Sequence, residues 1–587
     1  MKISFSRLSE QRKILILSSI TGIGSGLASV FLYYAVKFVS GLLNNGFQSG
    51  SYRWQYLLFP GIGMLLAGLL VRYVIRDNIS HGVTKSLLAV SRNESRIKPH
   101  NIWSSVATSA LTIGFGGSVG AEAPIVYTGA AIGSNIGRKC GLSYKGITTL
   151  LCCGAAGAVA GIFKAPLAGV LFTLEILLFN VSLASILPLL ISTITATVVA
   201  FIFRGQDAMF ACALTEFQMI NLPFYLVLGV AAGFCALYFM NATLKLEDWM
   251  AKHMKGPWKR WALCAVSLGV LIFLFPSLYG EGYEIVGALL NGNADAIVSS
   301  GSPLSAICSI PPGIPVMFLL IFIFKVLAMT FTNAGGGVGG TFGPTLFAGA
   351  IVGFSVARIL NLSLAGSGIS VPEQNFVLVG MAALMAGVMQ APLTAIFLIA
   401  EISGGYALLL PLIFTSTITF ATVRIFERYS IYTKRIAQSG DLLTHDSDQS
   451  VLTLMKIDDL IRDKYPRVHP DQTLGEFVEV ISETSAAVVA VLDDEGRFDG
   501  MVDIGNVRRV LFDTAQYDTM KVSDIMEPAP AFVWSDEKMD KVISKFDRTG
   551  AWRLPVLTRD KQYLGFVSRS RIMTAYRAEL KKIVQED

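Results

Sequence analysis

Two glycine-rich, proline-terminated loops interrupt membrane-length apolar sequence: Gly116-Gly117-Ser118-Val119-Gly120-Ala121-Glu122-Ala123-Pro124 and Gly336-Gly337-Val338-Gly339-Gly340-Thr341-Phe342-Gly343-Pro344. Helices broken at bilayer depth are tolerated only where the freed backbone groups line a cavity or bind something. A helix that begins there turns its positive dipole end and unpaired amides into the protein, which makes a site for an anion. One carboxylate, Glu122, stands at the mouth of the first loop. The pair points to an anion pathway.

Membrane insertion follows from composition. Of 587 residues, 53% are hydrophobic and only 15% charged, far too apolar for a soluble multidomain protein. The charge is unevenly placed: residues 1–440 hold 28 Lys and Arg against 15 Asp and Glu, residues 441–587 hold 20 against 27. The first apolar run, about 14–43, is too long for the core of a cleaved signal peptide. Lys2, Arg7, Arg12 and Lys13 precede it, and Arg424, Arg428, Lys434 and Arg435 follow the last apolar run, which predicts that both ends are cytoplasmic. The seven cysteines, at 140, 152, 153, 212, 235, 264 and 308, show no metal-ligand spacing and read as small buried apolar residues.

Further apolar stretches fall near 55–75, 102–114, 125–138, 145–163, 165–204, 222–243, 260–275, 315–332, 342–361, 374–404 and 407–425. Several are shorter than the roughly 17–25 residues that a helix needs to cross hydrocarbon. Gly154–Ile176 laid on Gly380–Ile402, at an offset of 226, matches at nine of 23 positions, including Pro166 and Glu175; the proline of the first loop lies 220 residues before that of the second. Small-residue patterns recur in any helical membrane protein as packing faces, but composition alone does not put Glu175 and Glu401 in register. The membrane part is thus two homologous halves, about 14–205 and 222–427, expected to have inverted topology with short broken segments at the midplane.

After a polar linker, about 438–452, the sequence changes to soluble α/β character. Two units each read strand, helix, strand, strand, helix, over 456–512 and 522–576, with AAVVAVLD, GRFDGMVD, RLPVLT and YLGFVS as strands. Val522-Ser523-Asp524-Ile525-Met526, Trp552-Arg553-Leu554-Pro555-Val556 and Gly565-Phe566-Val567-Ser568 resemble a tandem cystathionine-β-synthase (CBS) pair. That places the boundaries at 1–437 for the membrane domain and 453–587 for the pair, its units about 453–515 and 521–577. Such pairs often bind adenine nucleotides through Ser/Thr-x-x-Asp. Here the positions read Ser568-x-x-Arg571 and Asp503-x-x-Asn506, without the aspartate that would hold ribose, which favours a structural, dimer-forming or gating role over nucleotide binding.

The first loop resembles the Gly-Lys/Arg-Glu-Gly-Pro signature of the CLC chloride channels and chloride/proton antiporters, and Gly340–Pro344 matches their Gly-x-Phe-x-Pro. Ser80-His81-Gly82-Val83 sits where that family has Gly-Ser-Gly-Ile-Pro, and Tyr432, in Ser430-Ile431-Tyr432-Thr433, where it has the pore tyrosine. The resemblance spans almost the whole chain. It implies an all-α polytopic membrane protein with two inverted repeats and broken helices plus an α/β CBS pair, homodimeric, multi-pass in a bacterial inner membrane, passing chloride, other monovalent anions and protons, with no cofactor, no metal and no nucleic acid.

In that reading the amides of Ala121, Glu122, Thr341 and Phe342 coordinate partly dehydrated chloride, Tyr432 adds a hydroxyl, and Ser80, His81 and Gly82 complete the site. Donors without a full counter-charge bind an anion while letting it leave. Glu122 is the expected gate: a lone carboxylate in a dry amide-lined site occupies the anion position when ionised and leaves it when protonated. The plainer role is an acid that satisfies a helix dipole, yet Gly, Ala and Pro around Glu122 leave it few side-chain partners. Tyr432 taken alone reads as an interfacial belt residue. His81 departs from the family's serine; its imidazole either donates to the ion, with an ordinary pKa of about 6.5 near physiological pH, or turns away to the backbone. Thr84 replaces the motif's proline.

Antiporters of the family carry a second glutamate at the position held here by Ile176, which cannot carry a proton; channels carry an aliphatic residue there. Glu175 and Glu401 read as paired or capping residues. Passive or weakly proton-coupled chloride conduction is therefore favoured over stoichiometric chloride/proton exchange. Fluoride export fits less well with Tyr432 and Pro124 retained. A CBS-gated cation channel would need rings of acidic ligands that the membrane part does not offer, and no nucleophile, base and orienter set marks an enzyme.

Overall fold

The computed structural model describes residues 9–46, 55–79, 81–92, 95–177, 183–210, 214–294, 313–366, 369–438, 455, 457–462 and 465–585. The chain divides into two compact units, Met1–Leu442 and Leu443–Asp587. Most of the linker expected at 438–452 lies outside the described residues, as do Lys2, Arg7, Cys212 and Cys308.

The first unit is helical. Among the described residues nine helices are long and apolar enough to cross a membrane, and shorter apolar helices accompany them. In chain order they run α1 (Glu10–Gly46), α2 (Gln55–Leu69), α3 (Gly82–Arg92), α4 (Ser104–Gly114), α5 (Glu122–Lys139), α6 (Tyr144–Phe163), α7 (Pro166–Glu175), α8 (Leu183–Arg204), α9 (Leu222–His253), α10 (Pro257–Leu274), α11 (Tyr283–Leu290), α12 (Gly313–Ala334), α13 (Phe342–Ser363), α14 (Glu373–Met389), α15 (Pro392–Ile402), α16 (Leu409–Phe426) and α17 (Ile431–Gln438). At about 1.5 Å per residue, the 37 residues of α1 far outreach the roughly 30 Å of hydrocarbon, so this helix crosses at a tilt or projects from the bilayer.

Two stretches expected to be continuous are split. The run 165–204 becomes α7 and α8, and 374–404 becomes α14 and α15. The break before α15 has a local reason, which the break between α6 and α7 repeats. Lys164 and Gln390, 226 residues apart, both adopt left-handed backbone with φ of 58° and 51°, ending α6 and α14. Pro166 and Pro392 then take the first helical position, where a missing N–H costs nothing. At Gln390 hydropathy runs straight through the break because only three residues change.

Close backbone approach builds each half. An added Cβ at Gly349 would stand 2.5 Å from the Gly380 carbonyl, which brings α13 and α14 together, and Gly129 and Gly154 face each other in the same way between α5 and α6. Without a hydrophobic drive between helices in lipid, such contacts and the dispersion they allow hold the pairs.

The second unit contains two three-stranded sheets. In the first, β1 (Arg467–Val468) runs parallel to β2 (Val488–Leu492), which is antiparallel to β3 (Phe498–Asp503). In the second, β4 (Val533–Trp534), β5 (Arg553–Leu557) and β6 (Tyr563–Ser568) repeat that order and direction. The β2, β3, β5 and β6 strands coincide with the alternating segments read from sequence. Thr473 starts the helix 474–482 with a capping box, its hydroxyl accepting from the Glu476 N–H while Glu476 accepts from the Thr473 N–H.

Candidate functional site

The two glycine-rich loops meet. Gly120 N–H donates to the Gly340 carbonyl at 3.0 Å and Gly340 N–H to the Gly120 carbonyl at 2.7 Å, an antiparallel bridge of the kind a twofold relation demands. The symmetry extends outward. Ser118 N–H donates to the Thr332 hydroxyl at 3.2 Å, and Val338 N–H to the Thr112 hydroxyl at 3.0 Å, so each loop is fastened to the other half at positions 220 residues apart. Gly116 and Gly336, also 220 apart, hold φ of 89° and 103°, which lets each chain turn before its second helix starts.

Helices α5 and α13 therefore begin side by side inside the protein. Glu122, 2% exposed, lies between them. Its carboxylate accepts the Gly343 N–H at 3.2 Å, the Tyr283 hydroxyl and its own backbone N–H. Room for it comes from glycine, since a Cβ at Gly343 would press on it from 3.0 Å. At the register position of Glu122 the second half has Phe342, packed on Phe163 and Phe172 at ring-centroid distances of 5.4 and 6.3 Å.

Beside the bridge is a cavity of about 10 Å³, enough for about one small particle. His81, Thr84, Gly340, Thr341, Ile431 and Tyr432 line it. The Thr341 hydroxyl donates to the Tyr432 oxygen at 3.2 Å. Tyr432 sits in the first turn of α17, which Ser430 and Thr433 cap reciprocally. His81 has φ 56°, immediately before α3 begins. Gly82 touches α5 so closely that a Cβ would collide with the Ala123 carbonyl and stand 2.9 Å from Tyr127 Cβ. Ser80 lies outside the described residues.

Of the expected amide donors, Ala121 N–H donates to the Glu281 carboxylate at 2.9 Å. Ile176 is buried at the end of α7. Glu175 accepts the Leu393 and Thr394 N–H groups at 3.0 and 2.7 Å, and Glu401 accepts those of Leu167 and Ala168 at 3.1 and 3.0 Å. Each glutamate caps the helix on which its repeat mate stands.

Three residues at this centre were not singled out from sequence: Glu281, Tyr283 and Lys325. Lys325 is fully buried in α12 and donates to the Ser118 hydroxyl at 2.8 Å and the Gly280 carbonyl at 2.9 Å, with the Phe347 ring centroid 4.8 Å away. The signal was available, because a single charge in a 22-residue apolar helix marks a functional position by default. In the second unit, Asp503 caps a short helix through the Gly505 N–H at 2.9 Å, Asn506 donates to Glu527, and the Ser568 hydroxyl accepts the Arg571 N–H at 3.3 Å.

The profile of the voltage gated chloride channel family matches residues 63–424, and that of the CBS domain matches 457–513 and 522–578. The voltage-gated ClC-type chloride channel ClcB of Salmonella typhimurium is 27% identical over 443 residues, covering 72% of this chain and 99% of its own. Among solved structures, a slow cyanobacterial chloride/proton antiporter superposes with a TM-score of 0.61 at 23% identity, over 73% of this chain and 97% of its own. A eukaryotic CLC transporter gives 0.60 at 16% identity over 95% and 97%, a likeness of fold that takes in nearly the whole chain. With the family's profile covering more than half of its length, the chain belongs to the voltage gated chloride channel family, the CLC proteins, and carries a tandem CBS pair.

Proposed function

We propose that this protein moves chloride across a bacterial inner membrane as a homodimer with one pathway per subunit and both termini cytoplasmic, by passive or weakly proton-coupled conduction. Glu122 is the gate. Ionised, it holds the amide position between α5 and α13; protonated, it releases that position to an anion. The observation that carries this is a buried carboxylate received by backbone N–H groups and one hydroxyl, with no cation bonded to it among the described residues. Such a carboxylate is held by the same donors that would hold chloride, so the two compete.

The cavity beside Thr341 and Tyr432 is the next position along the path, with the Tyr432 hydroxyl, Thr341 and His81 as its ligands. Ile176 supports weak coupling, since an aliphatic side chain at the end of α7 passes no proton. The CBS pair acts in assembly or gating rather than as a nucleotide site.

Purified protein in liposomes tests both parts. Reversal potentials measured at fixed chloride under a proton gradient are expected to stay with chloride; a shift with external pH would replace conduction by stoichiometric exchange. Glu122→Gln, which mimics permanent protonation, is expected to give chloride flux that varies little between acid and neutral pH. A pH profile unchanged from the parent would remove the gate assignment.

A further inference from the structure

The segment Gly280-Glu281-Gly282-Tyr283 closes over the start of α5 from the other half of the unit. Gly280 N–H donates to the Gly116 carbonyl at 3.2 Å, the Glu281 carboxylate takes the Ala121 N–H at 2.9 Å, and the Tyr283 hydroxyl donates to Glu122. Lys325 ties this clasp down through the Gly280 carbonyl and the Ser118 hydroxyl. Among the described residues, the charged and titratable groups facing one another are then Glu122 on α5, Glu281 and Tyr283 on the clasp, Lys325 on α12 and Tyr432 on α17, with Arg204 at the end of α8 also facing Glu281. Two carboxylates thus share the field of one wholly enclosed ammonium.

We propose that Glu281 is a positioning residue for the gate, its charge setting how readily Glu122 holds a proton and hence the pH at which Glu122 leaves its amides. The inference rests on Glu122 being the gate. Its physical basis is that a like charge in a poorly screened interior disfavours ionisation of its neighbour, and an opposite charge favours it. An ionised Glu281 therefore keeps Glu122 protonated to higher pH, while Lys325 works the other way.

Glu281→Gln separates charge from structure, because its amide oxygen still accepts the Ala121 N–H. Chloride efflux from liposomes holding the full chain, measured from about pH 4 to 8, is expected to show a midpoint lowered by roughly one unit, a tenfold change in proton concentration. Glu281→Asp, which keeps the charge, should return the midpoint toward that of the parent, and Glu122→Gln/Glu281→Gln should be as flat as Glu122→Gln alone. If Glu281→Gln does not survive purification, Lys325→Gln carries the test with a shift of opposite sign. A Glu281→Gln profile that superimposes on the parent's, with Glu122→Gln flat, overturns this inference and leaves the gate standing. A Glu122→Gln profile that still follows pH overturns both.

Discussion

Gly82 has only a hydrogen where any other residue would drive a carbon into the Ala123 carbonyl, and this contact brings α3 against the first turns of α5. His81 is carried into the cavity wall with it, its backbone in a region that non-glycine residues seldom occupy. Such a conformation persists only where the surroundings enforce it. A hydrogen bond to a charged partner contributes about 1.5–3 kcal/mol, so His81→Ala is expected to weaken chloride binding by roughly tenfold or more, read by isothermal titration. Unaltered affinity would show that the imidazole faces away from the ion. The site's backbone parts were legible in the sequence because close approach and left-handed turns demand glycine, and helix starts admit proline. Glu281 was not, since a lone acid between two glycines in a loop carries no mark of the amide, 160 residues earlier in the chain, that it will accept.

Elements α7 and α15 are short and start inside the protein, where their leading N–H groups would be costly if left unpaired. The answer is reciprocal: Glu401 on α15 serves α7 and Glu175 on α7 serves α15, the latter also taking the Thr394 hydroxyl at 2.7 Å. Replacing either acid by glutamine turns one acceptor oxygen into a donor that opposes a backbone N–H. Each substitution is expected to lower stability by about 1–2 kcal/mol, measured as a fall in Tm of the detergent-solubilised protein, while the pH profile of flux stays with the parent. A displaced profile would draw these acids into proton handling. Their register was plain from the duplication. The break before α15 was hidden within a continuous apolar run, because a left-handed Gln390 leaves no trace in hydropathy.

At the scale of the whole molecule, the proposed anion site lies in the first unit and the α/β sheets in the second, each with its own core. Removing 453–587 is accordingly expected to change gating or assembly while leaving the order of preference among chloride and other monovalent anions intact, as judged from reversal potentials in mixed-anion solutions. A new order would place part of the filter outside the membrane domain. Within that domain the duplication holds in the backbone fastenings of the two loops, and it parts at the register position that matters most for the proposed gate. Phe342, wedged among two other phenyl groups, stands where the first half bears its acid. Two mirrored helix starts made unequal in this way give the route an arrow: a proton can settle on the carboxylate that opens one helix and not on the phenyl ring that opens the other. On the proposed reading, such a valve answers to protons through one carboxylate, whichever way the salt happens to run.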